Sequence, residues 1–114
     1  MSRMVALLNE IRGRPGMYLG TPSVVRLAAF LRGYDYAAER FGGGGPDPFL
    51  AEFRDWIHGR FRSTQHSWED TIRLQSADEA EALKRFWELF DQFCQGRADG
   101  AGATDNAIAG RPGR

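Results

Sequence analysis

The side chains in this sequence that could do chemistry are few, and their spacing limits what each can do. His58 and His66 stand eight residues apart without two further ligands at a metal-binding spacing, so no metal is expected. Cys94 is the single cysteine. Set against a histidine it would be a nucleophile, but its place in the last turn of an aromatic-rich helix reads as a packed structural thiol. Glu69 and Asp70 are adjacent, and neighbouring helical side chains diverge by about 100°, so they do not form a paired acid–base device. With no assembled catalytic set and no cofactor signature, the expectation is a protein that is not an enzyme.

Binding chemistry is better represented. Arg12, Arg14 and Tyr18 surround the turn RPGMYLG, where guanidinium forks and a phenol could hold a carboxylate or phosphate. Tyr34 and Tyr36, within GYDY, fall on opposite flanks of one helix, so one of them is expected to be exposed. Charge is uneven along the chain. Residues 1–33 carry five arginines against one acid, and residues 69–91 carry seven acids against three bases. The two segments either complement each other across the fold or leave an acidic docking surface. In the second case Glu69, Asp70, Asp78 and Glu81, with Tyr34, Tyr36 and Trp68, would form the partner-binding set. Such a surface suits a basic protein such as a toxin or nuclease, through steering and mimicry of phosphate charge.

These residues must be positioned by helices. Met4, Leu7, Leu8 and Ile11 recur at helical spacing, and Gly13, Pro15 and Gly16 stop that helix. Thr21 or Ser23 caps a second helix with Leu27, Phe30, Leu31, Tyr34, Ala38 and Phe41 as its buried stripe; Gly33 in its interior points to close backbone packing. Asp47-Pro48 opens a third, with Phe49, Leu50, Phe53, Trp56, Ile57 and Phe61 facing inward. Ser67 and Asp70 open a short helix, in a segment that a strand also permits. Ser76 to Glu79 matches a capping box before the final helix of Ala80, Leu83, Phe86, Trp87, Phe90 and Phe93 or Cys94, with Gly96 as its stop. The fold class is therefore all-α: a compact bundle of four or five helices over residues 4–96, with residues 97–114 as a disordered Gly/Ala-rich tail.

The 114 residues suit one domain, and 15 basic against 15 acidic side chains leave no bulk positive charge for nucleic acid or an anionic membrane. A lone cysteine excludes an internal disulfide framework. With no apolar run of signal-peptide or membrane-spanning length, a soluble, cytoplasmic protein is expected.

Two resemblances add to this reading. LLNEIRGRPGMYLG, residues 7–20, resembles the helix and loop that open the ATP-binding domain of gyrase B-type GHKL ATPases. In that family the next helix supplies a glutamate and a magnesium-binding asparagine; here that helix holds no asparagine, and the only Asp-Gly, Asp99-Gly100, lies in the tail. A degenerate nucleotide binder is the remote implication. Over residues 4–95, the succession RPGMYLG, RLAAFLRGY, FRDWIHGRF and EALKRFWELFDQF resembles a group of small uncharacterised bacterial proteins akin to immunity or accessory proteins of toxin systems. That implies a non-enzymatic, immunity-type protein binder. The alternative is a nucleic-acid- or phosphate-binding accessory protein using the arginine-rich N-terminal third.

Overall fold

A computed structural model describes residues 2–42, 45 and 47–110, with side chains described as far as Arg97. The described residues form α1 (Arg3–Gly13), α2 (Pro15–Leu19), α3 (Val24–Phe41), α4 (Phe49–Phe61), α5 (Trp68–Arg73) and α6 (Glu79–Gly110), with no strand among them. The all-helical bundle matches the expectation. The sixth helix arises because RPGMYLG closes into a short helix, with Pro15 at its first position.

Each start has a local cause. The Ser2 hydroxyl accepts from the Met4 and Val5 amides to open α1, and Ser23 and Ser67 accept from Arg26 and Asp70 to open α3 and α5. Asp47 serves two helices at once. Its Oδ1 accepts from the Phe49 amide at the start of α4, while its Oδ2 accepts from the Met4 amide at 3.0 Å and the Ser2 hydroxyl at 2.7 Å. One carboxylate thus satisfies orphan donors at two N-termini and fixes where α1 stands relative to α4.

The capping box of α6 lies two residues beyond the expected one. The Asp78 carboxylate accepts from the Glu81 amide, and Glu81 reaches back to the Ala77 amide, while the Ser76 hydroxyl is spent on the Ile72 carbonyl. Gly96 does not stop α6, which continues to Gly110. A single exposed glycine costs a helix only about 1 kcal/mol. Of the expected disordered tail, residues 97–110 continue the backbone of α6, and residues 111–114 lie outside the described residues.

Packing follows the periodicities. Met4, Leu8 and Ile11 of α1, Val24, Leu27, Ala28 and Leu31 of α3, and Phe49, Phe53 and Ile57 of α4 are all buried. α4 packs on α5, and α3 packs on both α5 and α6. At the meeting point of α4, α5 and α6, the fully buried Phe53 ring has five aromatic neighbours, Phe49, Trp56, Trp68, Phe86 and Phe93, with centroids 5.3–6.1 Å away. Phe41 departs from its expected place in the α3 stripe and is 77% exposed. It sits in the last helical turn, at the margin of the arc that Leu27 and Leu31 centre.

Truncating Phe53 empties the joint of three helices. Phe53→Ala should lower the unfolding free energy by about 3–5 kcal/mol, read as a shift in urea midpoint at constant slope. A loss near zero would mean that the aromatic joint is not what holds α4 to α6.

Candidate functional site

The acidic residues expected to form a docking surface are mostly engaged within the fold. Glu69 is buried, and its carboxylate takes a two-pronged grip from Arg32, 2.7 and 2.8 Å long. The Arg32 guanidinium also lies over the Trp68 ring, 5.8 Å from its centroid. Trp68 is itself only 2% exposed and packs against Phe53 and Phe86, so Trp68 and Glu69 leave the partner-binding set as core residues. The Ser67 cap was legible, but the long-range partners Arg32 and Phe53, which bury Glu69 and Trp68, were not. Asp70 accepts from Arg73, and Asp78 and Glu81 close the α6 capping box.

The arginine-rich N-terminal third is drawn inward in the same way. Arg12 grips Asp91 of α6 at 2.7 and 2.8 Å and covers the Trp87 ring, which removes it from the expected trio with Arg14 and Tyr18. Arg14 and Tyr18 do meet, in an open concavity of about 360 Å³ that Asn9, Glu10, Gly13 and Met17 also line. Tyr18 is fixed there by an edge-on contact with Phe30 and a 3.5 Å hydrogen bond to Glu10. Because that carboxylate faces the single unpaired guanidinium, the concavity is close to neutral and poorly suited to an anion. The positive N-terminal and negative C-terminal segments thus complement each other, through Arg12–Asp91 and Arg32–Glu69.

The nucleophilic and metal-ligating types are also accounted for. His58 Nε2 lies 2.8 Å from the His66 carbonyl oxygen and ties the loop between α4 and α5. Burial pushes the half-buried Cys94 thiol up, away from the reactive thiolate. No cluster of three or more His, Cys, Asp or Glu side chains able to hold a metal occurs among the described residues.

The outer face of α3 is exposed along its length, and apart from Arg26, which donates to the Leu19 carbonyl, and Arg32, which holds Glu69, its side chains have no polar partner in another element among the described residues. Val25, Arg26, Ala29, Arg32, Gly33, Tyr36, Ala37, Arg40 and Phe41 are all exposed. Of the two tyrosines in GYDY, Tyr34 packs half-buried against the core and Tyr36 is 61% exposed. Arg40 lies over both the Tyr36 and Phe41 rings, 5.8 Å from each centroid, and has no acid partner among the described residues. Tyr36 was visible from helical geometry. Arg40 and Phe41 were not, since Phe41 fits the spacing of the buried stripe. No protein-family model, curated protein or solved structure matches the chain, so the functional reading rests on its own residues.

The internal ion pairs set the response to acid. Burial alone would push Glu69 and Asp47 up, but the hydrogen bonds each accepts, from Arg32 and from Ser2, Met4 and Phe49, hold both below the usual carboxylate range. Hydrogen bonds from Arg12 lower Asp91 likewise. A carboxyl depressed in the folded state contributes stability that is complete above its unfolded value, about 4, and is lost as pH falls through the folded value. Asp35, raised by burial against the attraction of Arg3, has the opposite sign and offsets part of the loss. Urea unfolding should therefore give constant stability above about pH 5 and a decline below it. Glu69→Gln should cost about 1–3 kcal/mol at neutral pH and flatten that decline. An equal decline in the variant would remove Glu69 from the account.

Proposed function

We propose that this protein works without catalysis, by binding another protein through the outer face of α3. The observation that carries the reading is the contrast between two sets of side chains. Asp47, Glu69, Asp78, Glu81 and Asp91, with His58, Arg12 and Arg32, are engaged in caps, ion pairs and a loop tie, whereas Tyr36, Arg40 and Phe41 form an exposed cluster on α3. An arginine held over two exposed rings is rich in the residue types that dominate protein–protein hot spots.

An immunity-type inhibitor of a bacterial toxin, acting in the cytoplasm, is the role that this reading and the layout resemblance support together. The contact surface moves, however, from the acidic segment to the arginine–aromatic face, so the partner's complementary surface is acidic. Nucleic acid is a poorer fit, because the chain carries no net charge and four of the five N-terminal arginines are held by internal partners.

Affinity capture from the source cell lysate tests this. The parent protein should retain one protein in near-equimolar amount at moderate salt, insensitive to nuclease, and the triple variant Tyr36→Ala, Arg40→Glu, Phe41→Ala should lose it while unfolding at the parent's temperature. Equal retention by the variant, or retention of nucleic acid that salt releases, would overturn the proposal.

A further inference from the structure

The turn RPGMYLG keeps two opposite charges apart. In a continuous helix Glu10 and Arg14, four residues apart with the acid first, would be ion-pair partners. A residue that precedes proline is disfavoured in helical backbone, and Arg14, at φ −144° and ψ 60°, ends α1 just before Pro15 opens α2. Arg14 thereby leaves the α1 stripe. No ion pair joins it to Glu10 or to any other acid among the described residues, yet both charges line the open concavity of about 360 Å³ at the corner of α1 and α2.

This lining selects the chemistry of a ligand. A simple anion is repelled by the Glu10 carboxylate and a simple cation by the Arg14 guanidinium, whereas a molecule carrying both charges satisfies the two poles at once. Each pole has capacity for it. The Arg14 fork donates to no side chain among the described residues, and the Glu10 carboxylate accepts only the 3.5 Å hydrogen bond from Tyr18. The Asn9 amide, also without a partner there, adds a donor and an acceptor beside them. Met17, 65% exposed, supplies an adaptable apolar contact, and the edge-on contact with Phe30 holds the Tyr18 ring in place. A volume of about 360 Å³ lies at the small end of ligand sites, which run from about 300 to 1,000 Å³, so the ligand is small.

We infer that the corner of α1 and α2 is a binding site for a free α-amino acid with an aliphatic side chain, its ammonium group on Glu10, its carboxylate on Arg14 and its side chain against Met17. The inference goes beyond the reading of the α3 face and does not rest on it, since none of Tyr36, Arg40 and Phe41 lines this concavity.

Titration of the full chain with L-leucine, followed in amide correlation spectra, tests it. Saturable shifts should concentrate in residues 9–18, with a dissociation constant of roughly millimolar order. N-acetyl-L-leucine keeps only the carboxylate and L-leucinamide only the ammonium group, and each should bind about tenfold more weakly or worse. Glu10→Gln and Arg14→Gln should each weaken leucine binding by a similar factor and melt at the parent's temperature, because both side chains are exposed. The absence of saturable shifts at these residues, equal binding of either blocked derivative, or indifference to either substitution overturns the inference. Equal binding of N-acetyl-L-leucine would assign Arg14 to a lone carboxylate, as at a peptide C-terminus. The two proposals fail separately: Glu10→Gln should leave the protein captured through Tyr36, Arg40 and Phe41 in place, and the triple variant of those residues should still bind leucine.

Discussion

The Phe53 ring stands where α4, α5 and α6 converge, and the placement of everything on the surface depends on its five aromatic contacts. Through Trp68 it fixes α5, through Phe86 and Phe93 it fixes α6, and through the stacked Phe49 it fixes the start of α4. Edge-on and stacked rings of this kind have few alternative arrangements, so the joint specifies how the helices meet as well as holding them together. α3 is then laid over α5 and α6 by its Val24, Leu27, Ala28 and Leu31 stripe, which leaves its opposite side facing outward.

Around this apolar joint the charged residues act as fasteners. Arg12–Asp91 joins α1 to α6, Arg32–Glu69 joins α3 to α5, and in both pairs the guanidinium also covers a tryptophan of the element it grips. Asp47 adds a third fastener by capping α1 and α4 from one carboxylate. Exposed pairs such as Arg12–Asp91 contribute little energy, whereas the pair at the buried Glu69 cannot lose its arginine without stranding a carboxylate. Charges committed in this way are unavailable to a partner. On the proposed reading, the arginine–aromatic cluster of α3 takes the binding role first expected of the acidic segment.

Much of the fold was legible because helical spacing and caps are local. Met4, Leu8 and Ile11, Phe49, Phe53 and Ile57, and the Ser23 and Ser67 caps all stand where periodicity and capping chemistry put them. The candidate site was far less legible, since it depends on which long-range partners claim each side chain. Nothing near Trp68 and Glu69 in the sequence says that Arg32, thirty-seven residues away, will hold the carboxylate. The charge asymmetry was readable, and so were the two outcomes open to it, but choosing internal complementarity required Arg12 to meet Asp91. Phe41 satisfied the spacing of a buried stripe and lies exposed in the final turn of α3. Gly33 suggested close backbone packing, but a Cβ there would meet nothing within 4 Å.

The central claim is that the partner-binding surface is the outer face of α3 and that the acidic segment serves the fold. Amide hydrogen exchange of the protein alone and of the protein with its captured partner tests it most directly. The account predicts that protection gained on binding is concentrated in residues 25–41 and that residues 69–91 exchange alike in both states. Protection concentrated in residues 69–91, with α3 unchanged, would contradict it.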